Sequence, residues 1–397
     1  MKSATMPLAG GFRLATFRAG FKKANHPDLS LVVSDFPAAG AGVFTTNLFK
    51  AAPVLVAMKH LAKGAPLRAI VVNTGQANAC TGTQGLGNCN KTLALVARAT
   101  GLSPEEILPA STGVIGAQLK MEAWEKAVPG LCANLGQAGV DDLATAIMTT
   151  DKGPKMAAAT CEIEGKTITL TGVAKGAGMI CPNMATMISL VLCDAAVERA
   201  EWQAMFSRAV RTTFNRATVD GDTSTNDSLF GLANGASGVT VQGEALTILE
   251  AALEDVLAQL AYKLVEDGEG ATKVLHITVR GTDTEAAAEQ AARTVGHSQL
   301  VKTAMYGKDA NWGRIVAALG RSGVNFAPEA VRVSLCGVML FEKGQPTSLD
   351  FDALLKEPLE GTDIAIDIVL GSGPAEYTLL ASDLTHEYIS INADYRS

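Results

Sequence analysis

The sequence predicts a mixed α/β fold, with helices and strands in layers and mixed sheets. Three observations carry this. Short apolar runs bounded by Gly and Pro turns read as strands, Leu31 to Val33 and Ala69 to Val72 among them. Longer stretches repeat their apolar residues at helical spacing, and these alternate with the strands. The 397 residues, 48% hydrophobic and 18% charged, suffice for a large core and two or three structural units.

Taken in order, Ser103-Pro104-Glu105-Glu106 has the form of a capping box with proline at the first helical position, predicting a helix toward Leu108. Leu119 to Val128 and Val140 to Met148 have helical spacing. Glu162 to Val173 reads as a hairpin turning at Glu164-Gly165-Lys166. Met187 to Cys193 is apolar except for Ser189 and suits a strand buried on both faces. Val197 to Arg211 and Ala245 to Leu264 read as helices. Beyond about Gly281 a helix, Glu285 to Thr294, is followed by strands at Val331 to Leu335 and Asp363 to Val369.

The charge of −7, with no basic block, argues against nucleic-acid binding. No uninterrupted apolar run is long enough to span a membrane, and the first residues do not read as a signal peptide. The seven cysteines are scattered without a CxxC pair, which fits reduced cytoplasmic thiols. The five histidines lack metal-ligand spacing, so no metal is expected, and there is no P-loop or dinucleotide fingerprint.

The run KGAGMICPNMATMISLVLCDA, Lys175 to Ala195, sets Thr186 directly after Ala185, behind a Gly- and Pro-containing approach. Read by itself, Thr186 is a core threonine at the start of a strand. The same arrangement suits a self-cleaving chain. The hydroxyl attacks the preceding carbonyl, the amide shifts to an ester, and water cleaves it. Thr186 then carries a free α-amine, which titrates near about 7.7–8.0 and can serve as its own base.

The wider wording resembles the ornithine acetyltransferases, the ArgJ family of arginine biosynthesis. KGAGMICPNMATM carries the resemblance. So do DLSLVVSDFPAAGAGVFTTN, VVNTGQANACTG, STGVIG, IMTTDKGPK, TFNRATVDGDTSTNDS, DGEGATK, KTAMYGKDANWGRI and the terminal DLTHEYISINADYRS, in family order over nearly the whole chain. The resemblance implies a self-cleaving α/β/β/α sandwich over residues 1–280 and a smaller α/β domain over 281–397, whose tail returns to the active site. Cleavage between Ala185 and Thr186 would give chains 1–185 and 186–397.

The implied activity is glutamate N-acetyltransfer. The acetyl group passes from N2-acetyl-L-ornithine to Thr186, releasing ornithine, and then to L-glutamate, giving N-acetylglutamate. The family divides into enzymes that also take acetyl-CoA as a donor and enzymes that do not, and no motif here separates them; no cofactor is expected. The resemblance also implies an α2β2 particle or larger and a cytoplasmic location.

The resemblance assigns the oxyanion hole to Thr112 and Gly113. Without it, Ser111-Thr112-Gly113 reads as an ordinary turn linking helices. It assigns substrate contacts to Lys175, Glu269, Asn392, Ser397 and one of Thr149 and Thr150. A lysine suits an amino acid's carboxylate and a glutamate its ammonium. Gln76, Ala177 and Ala381-Ser382 depart from the family wording without touching these positions. Two rivals stand beside this reading. One is a self-processed aminopeptidase or amidase of the same fold. The other is an uncleaved, non-enzymatic amino-acid-binding protein.

Overall fold

The computed structural model describes residues 6–22, 26–181 and 187–394. The chain forms two compact units. The first runs to Asn215 and resumes over Asp222–Leu264; the second takes Arg216–Gly221 and the chain from Val265 to the last described residue, Asp394. The division thus falls before residue 280, because the strand Val274–Thr282 belongs to the second unit's sheet.

In the first unit the strands are β1 (Phe12–Phe17), β2 (Leu29–Phe44), β3 (Leu67–Gln76), β4 (Ile107–Val114), β5 (Lys155–Ile163), β6 (Lys166–Lys175), β7 (Ile188–Cys193) and β10 (Ser228–Ala233). A short parallel pair, β8 (Ala196–Val197) and β11 (Thr240–Val241), lies apart from them. The helices are α1 (Ala52–Ala62), α2 (Gly82–Thr100), α3 (Met121–Ala133), α4 (Val140–Ile147), α5 (Arg199–Thr212) and α6 (Ala245–Glu266). Strand order is β4-β3-β2-β10-β7-β6-β5, with β1 also on β2.

Strand β2 serves twice. Its first part, Leu29 to Val33, pairs with β1 and β3; its last part, Ala39 to Phe44, pairs with β10. Between them the register on β3 shifts from Val33 to Ala38, and Asp35, Phe36 and Pro37 stand exposed. A proline that cannot donate to a ladder fits such an interruption. The sequence shows only the apolar stretch Leu31 to Val33, since the rest of β2 is broken by Pro37, Gly40 and Gly42.

Side-chain alternation then makes layers. Leu31 and Val33 of β2 pack with Leu93 and Val96 of α2 and Trp124 and Leu131 of α3. Val32, on the opposite face, packs with Leu190 and Leu192 of β7 and Phe230 of β10. The outer face of those strands, Val191, Cys193 and Leu229, meets Trp202 and Phe206 of α5 and Leu253 and Val256 of α6. Three apolar interfaces separate four layers, helix–sheet–sheet–helix, which is the α/β/β/α sandwich.

The β5–β6 hairpin turns through Glu164 and Gly165, both at positive φ, the two-residue turn that matches strand twist. The helix expected from Ser103 is a single 3-10 turn, Pro104–Glu106. Its cap is real, since Glu106 Oε2 accepts from the Ser103 amide at 2.8 Å. The chain then enters β4, because Ile107 and Leu108 are both fully buried and Pro109 bars a helix interior. Strand β4 ends the strand order, where a proline is tolerated.

In the second unit the strands are β9 (Ala217–Thr218), β12 (Val274–Thr282), β13 (Arg332–Leu335), β14 (Val338–Glu342), β15 (Gln345–Pro346), β16 (Asp363–Val369) and β17 (Ala375–Ser382). Their order is β15-β14-β13-β16-β12-β17-β9. The helices are α7 (Glu285–Gly296), α8 (Gln299–Tyr306), α9 (Trp312–Gly320), α10 (Phe351–Leu355) and α11 (His386–Asp394). One core joins Ile277, Val279, Ile364, Ile366 and Leu379 of the sheet to Ala288, Ala292 and Val295 of α7. The buried Lys302 ammonium donates to Val219 O at 2.7 Å, fastening the segment that carries β9.

Candidate active site

Thr112 and Gly113 lie at the end of β4, not in a turn between helices. The parallel β3·β4 ladder sets Thr74 beside Thr112 and Gly75 beside Gly113. Gly113 has φ +128, and a Cβ there would stand 2.3 Å from the Gly75 carbonyl carbon, so no other residue fits. The neighbouring backbone is held by amide side chains. Ser111 Oγ donates to Asn73 Oδ1 at 2.6 Å, and Asn226 Nδ2 donates to Ser111 O at 2.8 Å and Ala77 O at 2.6 Å.

Lys175 closes β6, buried, opposite Ile188 of β7. Its ammonium donates to Thr112 Oγ1 at 3.2 Å. A hydroxyl oxygen that accepts from an ammonium keeps its own O–H to give away. Thr112 is thereby set as a donor, beside the Gly113 backbone.

Below this pair lies a buried cluster of charge. Asp151 Oδ1 accepts from Lys155 Nζ at 2.6 Å and from the Gly176 amide at 2.7 Å, and its Oδ2 accepts from the Thr149 amide at 2.8 Å. Burial by itself would raise the Asp151 carboxyl, but the charges of Lys175 and Lys155 outweigh it and hold the group at about 2. Burial pushes the Lys22 ammonium down to about 8; Lys175 adds to this, and Asp28 and Asp151 oppose it. Lys22 Nζ donates to Met148 O at 2.7 Å, next to Thr149. Asp151 thus lies among the charges of Lys155, Lys175 and Lys22, with Asp28 beside Lys22.

In the second unit the turn after α6 carries Glu269, buried, with Oε2 accepting from Asn392 Nδ2 of α11 at 2.8 Å. Gly270 beside it has φ +68, and a Cβ there would stand 2.4 Å from the Tyr388 amide nitrogen. Thr385 Oγ1 donates to Gly270 O at 2.8 Å. Helix α11 is therefore seated on the turn that holds Glu269.

Of the residues expected from the sequence, Thr112, Gly113 and Lys175 come together, with Thr149 linked to them through Asp151; Thr150 follows Thr149 in the same bend. Glu269 and Asn392 come together in the second unit. Ala185, Thr186 and Ser397 lie outside the described residues. No local pattern in the sequence marks Asp151, Lys155 or Lys22. Asp151 and Lys155 lie in IMTTDKGPK, but a Gly-Pro between them hides any periodic signal. Among the described residues no group of three His, Cys, Asp or Glu side chains is placed to hold a metal ion.

The model of the ArgJ family matches residues 13–397. The "Arginine biosynthesis bifunctional protein ArgJ" of Nitratidesulfovibrio vulgaris (Hildenborough strain) is 64% identical over 387 residues, covering 98% of each chain. The protein of the same name from Synechocystis sp. is 46% identical over 398 residues, 97% of this chain and 96% of its own. A crystal structure of the Arginine biosynthesis bifunctional protein argJ from Bacillus halodurans is 35% identical. It covers 53% of this chain and 100% of its own, with a TM-score of 0.50. The chain belongs to the ArgJ family.

Proposed function

We propose that the chain is an acetyltransferase of arginine biosynthesis that moves the acetyl group of N2-acetyl-L-ornithine to L-glutamate. The observation that carries this is the Lys175–Thr112–Gly113 arrangement, a hydroxyl committed to donating beside a glycine only a bare backbone can occupy. The chain first cleaves itself between Ala185 and Thr186, which frees the threonine's α-amine. That amine takes the hydroxyl proton as the oxygen attacks the acetyl carbonyl. Negative charge develops on the carbonyl oxygen and is met by the Thr112 O–H and the Gly113 N–H. The tetrahedral centre collapses, the C–N bond breaks, and ornithine leaves with the proton on its α-nitrogen. Glutamate's α-amine then attacks the acetyl ester, the Thr186 α-amine passes the nitrogen's proton to the departing Thr186 oxygen as the ester C–O bond breaks, and N-acetylglutamate leaves.

The shared amino-acid head explains how one enzyme serves two substrates. Lys175 takes the carboxylate. Glu269, oriented by Asn392, takes an ammonium, and Ser397 and one of Thr149 and Thr150 complete the contacts. Acetyl-CoA serves as a second donor, the cleaved chains assemble as α2β2, and the enzyme works in the cytoplasm. Among the described residues no helix is long and apolar enough to cross a membrane. The hydrolase rival shares the acyl-enzyme but has no use for an amino-acid acceptor. Incubation of purified enzyme with N-acetylornithine and glutamate decides between them. N-acetylglutamate should accumulate in step with ornithine; acetate in its place would overturn the transferase reading.

A further inference from the structure

We infer that Asp151, locked by Lys155, is a positioning residue for Lys175: its buried carboxylate fixes the chain just beyond that lysine and so holds the ammonium against Thr112. The inference rests on the proposed role of Lys175 and Thr112 in acyl transfer. Asp151 and Lys155 have side chains 0% and 2% exposed, so both stand away from bulk solvent. A buried ion pair is weak evidence for stability, since an apolar pair of similar volume often does as well or better. Its retention calls for another reason, and the bonding of the carboxylate supplies one.

The oxygen that accepts from Lys155 also accepts from the Gly176 amide, the first beyond Lys175. The other oxygen holds the Thr149 amide. One side chain thus ties the bend after α4 to the bend after β6. Lys155 is brought there by the β5·β6 ladder, where it stands opposite Ala174, the residue before Lys175. Lys155 and Lys175 both lie near enough to act on the Asp151 carboxyl. Lys22 adds a third cation from the chain before β2, with Asp28 as its nearer counter-charge. Asp151 is the anion that Lys155 and Lys175 share. Without it the Gly176 amide loses its acceptor and the chain that carries Lys175 loses its anchor. A displaced ammonium neither meets a substrate's carboxylate nor commits Thr112 to donate.

The test compares Asp151→Asn and the apolar pair Asp151→Leu/Lys155→Met with the unaltered enzyme. The readout is kcat and KM for ornithine release from N-acetylornithine, a step common to transferase and hydrolase. Asp151→Asn should lower kcat/KM about 10–100-fold. The loss should divide between a raised KM and a lowered kcat, since Lys175 serves both the substrate's carboxylate and Thr112; a smaller folded fraction by itself would leave KM unaltered. The apolar pair removes both charges together and leaves neither buried without its partner, so it should fold. Its kcat/KM should be about 10-fold low, because the Gly176 amide has lost its acceptor. An Asp151→Asn enzyme with an unaltered KM, or a folded apolar pair with unaltered kcat/KM, would overturn the inference. Ornithine release by the unaltered enzyme without acetyl transfer to glutamate overturns the transferase reading alone.

Discussion

In the first unit, Thr112, Gly113 and Lys175 stand at the ends of strands inside the sandwich, each pinned by a neighbouring ladder. In the second, Glu269 and Asn392 are held by a turn and a terminal helix, and α11 buries none of its own residues fully. The difference matches the chemistry proposed for each. Oxyanion donors act only when aimed within a few tenths of an ångström, so they belong on rigid strands. A carboxylate that pairs with a substrate ammonium tolerates a looser frame, because charge attraction falls slowly with distance. Damage in the first unit should therefore lower turnover, and damage in the second should raise the Michaelis constant.

The largest effect is expected at Gly113. Gly113→Ala forces a Cβ into the Gly75 backbone and a strained φ, so β3 and β4 must part and the donors lose their aim. Turnover should fall by about 10³-fold or more. Thr112→Val keeps the shape and removes the O–H alone. It should cost about 2.7–4 kcal/mol of transition-state stabilisation, read as a fall in kcat with little change in KM. If Thr112→Val instead raised KM and spared kcat, the contrast between the units would collapse.

Glu269→Gln keeps the Asn392 contact geometry and removes the charge. It should raise KM for both N-acetylornithine and glutamate about 10-fold, leaving kcat within a few-fold. Deleting 393–397 should act in the same direction and leave self-cleavage near its original rate, since cleavage uses no substrate. Intact-mass kinetics of the cleavage and steady-state transfer rates separate the two effects.

The smallest effect concerns stability in acid. The folded Asp151 carboxyl is depressed to about 2, below its ordinary value near about 3.9. Its contribution is therefore fully present above about pH 4 and is lost as the pH falls through about 2. Unfolding curves between these values should show the unaltered protein losing more stability than Asp151→Leu/Lys155→Met.

Much of the frame is legible from local pattern. The Glu164-Gly165 turn, the doubly buried strand β7 and helices α3 to α7 follow from turn chemistry and periodicity. The resemblance names Thr112, Gly113, Lys175, Glu269 and Asn392. What the sequence hides is long-range. A capping box at Ser103 predicts a helix, but the apolar Ile107 and Leu108 are claimed by the β3 ladder. Strand β2 looks like a short strand and a loop because its glycines and proline mark the place where it changes partners. Asp151 and Lys155 look like loop charges because their partners, Gly176 and Lys175, lie some twenty residues on across a hairpin.

The most direct test of the account is the mass of the chain beginning at Thr186 after brief mixing with N-acetylornithine and no acceptor. The account predicts two fragments divided after Ala185, with one acetyl group gained by the Thr186 chain and lost when glutamate is added. An uncleaved chain, or a cleaved one that transfers acetyl to glutamate without ever carrying it, would contradict the account.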